Sequence, residues 1–384
     1  MNLIFISNRF TNHQVELCNE FFKIADNFLF VEVERRESRA LEHGKSIEGE
    51  VPSYVITSDN LPMIQNNIDN ADIVIIGSAP DYLVNSRLKR GLLTFKYSER
   101  MYKKGIPWLE LPLRYFKNFM RFNRYHNYYL LCASAYSAYD YSLSHSFVEK
   151  AFKWGYFPKT TNLTFGEISK KKAWDTKLHI LWVGRFIDWK HPEKALDVAL
   201  DLSSQGIDYT LTMLGTGTME EEIKESVESM NLQGNVKVLG SVPSNDVREF
   251  MDRSHIFLYT SDYNEGWGAV LNEAMASGCI VIASHAIGAA PYLVKNGVNG
   301  FLYNNDEQQA LLKCVHDVLS KRNQWNDISK CAYNTIRFVW NAGNAAKCFM
   351  EIARSLYCDH QVIFKKSGPC SKAESISNNW FSKL

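Results

Sequence analysis

The chain of 384 residues lacks a long hydrophobic run. Its opening, "MNLIFISNRFTNHQ", stays apolar for only a few residues before Asn8 and Arg9, too short for the apolar region of a signal peptide and far too short to span a bilayer. The expected location is therefore the cytoplasm, and the glycosylation triplet Asn162-Leu163-Thr164 carries no weight without export. Net charge is lacking too. Lys and Arg number 43 against 42 Asp and Glu, which argues against general neutralisation of a phosphate backbone, so nucleic acid is not the expected partner. No Cys-x-x-Cys occurs among the eight cysteines, and Cys132 and Cys279 sit inside apolar runs, as small buried thiols do. No Gly-x-Gly-x-x-Gly follows any apolar run, which weighs heavily against a dinucleotide-dependent oxidoreductase. No low-complexity block suggests long disorder.

What is present is the composition of an ordinary globular protein, 46% apolar and 22% charged, in a chain long enough for two hydrophobic cores. The first half alternates short apolar runs, "NLIFIS", "NFLFVEV" and "ADIVIIGSAP", with amphipathic stretches. Thr11 and Gln14 have the spacing of a capping box, so a helix follows the first strand directly. The second half repeats the alternation: "LHILWVGR", "YTLTMLGTG", "NVKVLG", "HIFLYTS" and "CIVIAS" read as buried strands, each followed by a helical pattern. This predicts α/β architecture with two doubly wound domains, over 1–160 and 178–343. Residues 161–177, weakly periodic and rich in Lys and Thr, are the expected linker; 344–358 form one more amphipathic helix, and 359–384 a polar and mobile tail.

Open α/β sheets bind ligands at the carboxyl ends of their strands. After "ILWV" come Gly184-Arg185 and then Lys190, a guanidinium and an ammonium suited to a diphosphate, or else two solvated loop cations. After "YTLTML", Gly215 and Gly217 let a backbone approach a ligand or simply turn into the next helix. After "IFLYTS", the loop "NEGWG" leads into a helix expected to start near Gly268 and stop at Gly278. The amides of Gly266, Trp267, Gly268 and Ala269 then lie at a helix N-terminus, an anion site. Glu265 and Glu273 are too far apart to share one group. They can accept hydrogen bonds from hydroxyls at opposite ends of an elongated ligand such as a sugar nucleotide, or else face solvent and favour the helix start.

Taken together, "VGR" with Lys190, "LGTG", "EGWGAVLNEAMASG" and "GVNGFLY" resemble the retaining GT-B glycosyltransferases, family 4 (group 1) in particular, over about residues 178–305. In the first half, "ISNRFTNHQ", "IIGSAP", "KYSERMYKKG" and "CASAYSAYDYSL" resemble a bacterial polysaccharide-cluster subgroup. The resemblance implies a GT-B fold of two Rossmann-like domains facing a cleft, the donor held by the second domain, the acceptor by the first, and the last helix crossing back. It implies that Arg185 and Lys190 bind the donor diphosphate, that Glu265 contacts the transferred sugar and Glu273 the ribose, and that transfer retains configuration. The family's glycine-rich first loop is replaced by "SNRFTNHQ", and its first-domain histidine is not recognisable; His13, Glu99 and Arg100 are the candidates on the acceptor side. His13 also reads as a first-turn helix residue, and Glu99 with Arg100 as a surface ion pair.

No Asp-x-Asp is present to hold a divalent ion across a diphosphate, so the expected reaction needs no metal and no cofactor beyond its nucleotide-diphosphate sugar donor. The expected acceptor is a glycan or lipid-linked glycan of a cell-surface polysaccharide, and the competing reading is a non-catalytic scaffold that keeps the donor site. Residues 101–125 mix Trp108, Phe116, Phe119 and Phe122 with Arg114, Lys117, Arg121 and Arg124. That mixture fits peripheral contact with the inner face of a membrane or an ordinary helix beside the cleft.

Overall fold

A computed structural model of the chain describes residues 1–34, 50–57, 61–174 and 177–383; the side chains of residues 61–63 and 383 lie outside that description. The chain divides into two units, Met1–Lys159 with Val339–Ser377, and Thr160–Phe338 with Asn378–Leu384.

In the first unit the apolar runs become β1 (Asn2–Ser7), β2 (Asn27–Glu32), β3 (Val55–Thr57), β4 (Ile73–Ile76), β5 (Thr94–Ser98), β6 (Tyr128–Cys132) and β7 (Ala151–Lys153). They form one parallel sheet in the order β3-β2-β1-β4-β5-β6-β7. β4 and β6 are buried along their whole length, as strands covered by helices on both faces are. The helix Asn12–Ile24 begins at the Thr11 and Gln14 capping box, with the Thr11 amide donating to Gln14 Oε1 at 2.8 Å. The helix Ala342–Cys358, capped by the Asn341 side chain, packs on it through Phe349, whose ring centroid lies 5.3 Å from that of Phe21.

The second unit contains β8 (Leu178–Val183), β9 (Tyr209–Leu214), β10 (Val236–Val238), β11 (Ile256–Tyr259), β12 (Ile280–Ser284) and β13 (Phe301–Tyr303), again all parallel, in the order β10-β9-β8-β11-β12-β13. Its core gathers Ile180, Trp182, Leu211, Met213, Ile256, Leu258 and Ile282 from the sheet with Leu196, Ala199, Val315 and Trp325 from the covering helices.

Two segments differ from their sequence reading. The stretch 161–177 contains the helix Phe165–Lys172 of the second unit, apart from residues 175 and 176, which lie outside the described residues. The Thr164 amide donates to Glu167 Oε2 at 2.7 Å and the Glu167 amide to Thr164 Oγ1 at 3.4 Å, a capping box that turns the Lys-rich run into a helix. The stretch 359–384, read as a mobile tail, is bonded to the first sheet. Lys153 N donates to Ser371 O at 2.7 Å, Cys370 N to Lys153 O at 2.8 Å and Ala373 N to Ala151 O at 3.0 Å, so the segment covers the free edge of β7. An uncovered edge strand presents unpaired backbone groups, and this segment pairs them. From Asn378 the chain returns to the second unit, where Phe381 stacks on His285 at 5.2 Å.

Candidate functional site

In the second sheet the chain runs outward from β8 to β9 and β10, then returns to the other side of β8 with β11. Ligands bind where the strand order reverses, outside the carboxyl ends. Gly184 and Arg185 follow β8, Gly215 to Gly217 follow β9, and the Glu265 loop follows β11, so the predicted residues of the second unit converge on one edge.

The glycines explain how the loops approach one another. Gly215 has φ 134°, and a Cβ there would lie 1.9 Å from Gly184 O; at Gly217 it would lie 2.2 Å from Phe186 O. Phe186 N donates to Thr216 O and Met219 N to Phe186 O, both at 2.9 Å, so the two loops run backbone against backbone. The glycine pair therefore fixes the loop that carries Arg185, a role beyond the two that the sequence offered. Gly268 takes a left-handed φ of 89° as the N-cap of helix Ala269–Ala276, and a Cβ there would lie 2.5 Å from the Tyr259 hydroxyl.

That hydroxyl donates to Glu265 Oε2 at 2.9 Å, and the same oxygen accepts from Lys190 Nζ in an ion pair whose two side chains are each 12% exposed. Thr260 Oγ1 donates to the Lys190 carbonyl at 2.6 Å and pins the turn Asp188–Lys190 to the end of β11. Lys190 Nζ also lies 4.5 Å from the Trp189 ring centroid, and the Arg185 guanidinium 5.6 Å from the same ring. Lys190 is thus balanced by Glu265, whereas Arg185 is exposed and its side chain has no ion pair or hydrogen bond among the described residues. Burial, with Glu265 and Glu273 adding to it, pushes the Tyr259 hydroxyl well above its ordinary range and keeps it a donor.

Gly266 and Gly268 are buried, and the amides of Gly266, Gly268 and Ala269 donate no hydrogen bond among the described residues. Amides without partners in so covered a segment are uncommon, and those of Gly268 and Ala269 open the helix Ala269–Ala276, where an anion is favoured. Trp267 is expected at this site through its amide, and its side chain lies in the core. It is 1% exposed and its indole donates to Asn272 Oδ1 at 2.9 Å, so only its backbone is available to a ligand. Glu273 is partly buried on the same helix, and its carboxylate makes no hydrogen bond among the described residues. Burial raises its pKa against the opposing Arg248 charge, and Arg248 Nη1 donates to the Glu273 carbonyl at 3.0 Å. Beside the turn, His191 Nδ1 lies 2.8 Å from Glu193 Oε1 and Nε2 lies 3.6 Å from Asp262 Oδ2; these two carboxylates lift its pKa to about 9.

The first unit carries a different edge. His13 opens the helix after β1, and its ring stacks on Tyr156 at 5.5 Å. The Tyr156 hydroxyl donates to Glu99 Oε1 at 2.6 Å, and Lys103 Nζ donates to Glu99 Oε2 at 2.5 Å. Arg100 is no partner of Glu99. It is buried, lies 3.4 Å from Asp140 Oδ1 and stacks over Tyr136 at 4.8 Å, so the expected surface pair does not form and Arg100 belongs to the interior. Tyr156, Tyr259, Trp189 and Arg248 were not among the predicted site residues. Tyr259 is the last residue of its strand and Trp189 sits between the two predicted cations, positions that a search of strand ends could have found.

Residues 164–335, nearly the whole second unit, match the family described as glycosyl transferases group 1. The amylovoran biosynthesis glycosyltransferase AmsK of Erwinia amylovora is 32% identical over 139 residues, 35% of this chain and 34% of that protein. The putative colanic acid biosynthesis glycosyltransferase WcaL of Salmonella typhimurium is 30% identical over 145 residues, 36% of each. The matches thus span about a third of the length of these relatives. The crystal structure of Anabaena HepE in complex with UDP superposes with a TM-score of 0.67 at 17% identity, covering 93% of this chain and 100% of that one. The fold is GT-B, built of two doubly wound α/β units.

Proposed function

We propose that the chain is a glycosyltransferase that moves a sugar from a nucleotide-diphosphate donor to a glycan or lipid-linked acceptor in cell-surface polysaccharide synthesis, on the cytoplasmic side. The observation that carries this reading is the pairing of one uncompensated cation, Arg185, with the unbonded amides of Gly266, Gly268 and Ala269 at the switch point of the second sheet. That arrangement fits a diphosphate. The names of AmsK and WcaL, and the UDP held by HepE, support the same donor class and pathway.

Glycosyl transfer builds negative charge on the departing diphosphate, and fixed positive charge aimed there is the largest lever on its rate. Arg185 supplies it directly. Lys190 supplies it on turning from Glu265 to the diphosphate, which releases Glu265 to accept from a hydroxyl of the transferred sugar. Glu265 acts as a positioning group and not as a covalent nucleophile, and Glu273 takes the ribose hydroxyls. The reaction runs without a metal and retains configuration. On the acceptor side, the Tyr156 and Glu99 pair with His13 holds the incoming hydroxyl.

The test is a panel of UDP-, GDP-, ADP- and CMP-sugars with the purified protein in excess chelator, reading thermal stabilisation and slow release of nucleotide. One donor is expected to stabilise the protein and turn over, and both effects are expected to vanish in Arg185→Ala and Glu273→Ala. No response to any donor would overturn the reading. Stabilisation with neither transfer to a glycan acceptor nor hydrolysis would replace it with a non-catalytic nucleotide-sugar-binding scaffold.

A further inference from the structure

Between β5 and β6, residues 101–126 carry six basic residues, Lys103, Lys104, Arg114, Lys117, Arg121 and Arg124, against one acid, Glu110. The helix Leu111–Asn118 and the turn Phe119–Asn123 that continues it are held down by one face only, through buried Asn118, Phe122 and Tyr125. The opposite face is open to solvent. Leu109 is 98% exposed, Leu113 80%, Phe116 69% and Met120 43%, and these four recur at intervals of four, three and four residues, which places them in one stripe along the helix. Trp108, at 63%, and Phe119, at 43%, widen it. No other segment of the described residues exposes so many large apolar side chains together, and a patch of this kind on a folded unit marks an interaction surface.

The charge beside the stripe selects the partner. Arg114, Lys117, Arg121 and Arg124 follow the same helical rhythm, one to four residues after the apolar positions, and so border the stripe. Arg114 is paired to Glu110 and Arg121 to Asp81, whereas Lys104, Lys117 and Arg124 have no ion pair among the described residues. An apolar stripe bordered by uncompensated cations complements an anionic lipid surface, with the apolar residues reaching the acyl boundary and the cations meeting the headgroups. Among the described residues no helix is long and apolar enough to cross a membrane, so any such attachment through these elements lies in the interface. We infer that the outer face of residues 108–120 docks the protein in the plane of an anionic membrane leaflet. This inference rests on the first unit alone and is independent of the donor reading.

Co-sedimentation of the full chain with vesicles tests it, comparing equal parts phosphatidylglycerol and phosphatidylcholine with phosphatidylcholine alone. Binding is expected on the anionic vesicles and is expected to weaken at high salt. Because Leu113 and Phe116 are exposed, the double variant Leu113→Ser, Phe116→Ser should keep the wild-type melting temperature yet bind at least about tenfold more weakly. Lys117→Glu should lower binding to anionic vesicles by a smaller factor and leave the phosphatidylcholine baseline unchanged. Failure of the wild type to bind anionic vesicles, or unaltered binding by the double variant, would overturn the inference. A wild-type dimer in gel filtration that becomes a monomer in the double variant, with no lipid binding by either, would reassign the stripe to a second copy of the chain.

Discussion

The carboxyl edges of the two sheets follow one topological plan and differ in how their charges are spent. At the second edge Lys190 and Glu265 neutralise each other, but Arg185 and the amides of Gly266, Gly268 and Ala269 remain uncommitted. At the first edge the charged candidates are committed internally: Glu99 to Lys103 and Tyr156, Arg100 to Asp140. An edge with uncommitted donors is prepared for an anion whatever its exact shape, while an edge of satisfied polar groups must exchange partners to bind. The contrast matches the division of labour proposed above, in which the diphosphate belongs to the second unit.

The largest effects should come from breaking that contrast where it is structural. Asp140→Ala removes the carboxylate beside a buried guanidinium, and an uncompensated buried charge costs about 3–5 kcal/mol. The expected outcome is a large fall in melting temperature, measured by calorimetry. A small fall would return Arg100 to the list of ligand-binding candidates. At the second edge, Arg185→Ala and Lys190→Ala should each lower the turnover rate by about 10²–10³-fold, the cost of removing one group that stabilises a developing anion; Arg185→Ala should leave the melting temperature nearly unchanged, whereas Lys190→Ala should also lower it by stranding the Glu265 carboxylate. Equal stability with unchanged turnover would detach the site from the chemistry. Glu265→Gln keeps an acceptor but loses the ion pair. It should retain more activity than Glu265→Ala if positioning is the role of that side chain.

Gly217→Ala sharpens the comparison from the backbone side. A Cβ at 2.2 Å from Phe186 O cannot be accommodated without moving the loop that carries Arg185, and a forced backbone adjustment costs about 1–3 kcal/mol. The variant should lose both stability and donor affinity, the latter read by nucleotide titration. Retained donor affinity would show that Arg185 does not depend on that loop packing.

The second unit was the more legible one for physical reasons. Its strands β8, β11 and β12 are mostly apolar runs and β9 alternates apolar residues with Thr210 and Thr212, and glycines or charged residues stand close behind their ends. β3, β7 and β13 are three residues long, too short for a periodic signal, and β5 carries a buried Lys96 that Asp81 satisfies from another element at 3.0 Å. The partition of Glu99 and Arg100 was not readable either, because each finds a partner far off in sequence, Tyr156 and Asp140. The burial of the Trp267 ring was not readable from its glycine turn, since its indole partner Asn272 is set by the helix that follows. The Thr164 to Glu167 capping box stood in the sequence and marks the helix within the expected linker.

The smallest predicted effect concerns the ionic surroundings of the second edge. His191 is lifted to about 9 by Asp262 and Glu193, from an ordinary value near 6.5. A group whose folded pKa is raised contributes stability that is fully present below its unfolded pKa and is lost as the pH rises through the folded one. The stabilising contacts of His191 should therefore be complete below about pH 6.5 and gone above about pH 9. His191→Gln is expected to lower the melting temperature at pH 6 and to leave it nearly unchanged at pH 10, where the wild-type ring is neutral. Because His191 follows Lys190 directly and Asp262 lies in the loop that carries Glu265, the same loss of charge loosens the turn that presents Lys190. Donor affinity of the wild type should then decline modestly over the same pH interval, while that of His191→Gln should start lower and stay flat. An equal pH dependence in both proteins would separate this histidine from the donor edge and leave the Lys190 turn held by Thr260, Glu265 and the Asp262 amide.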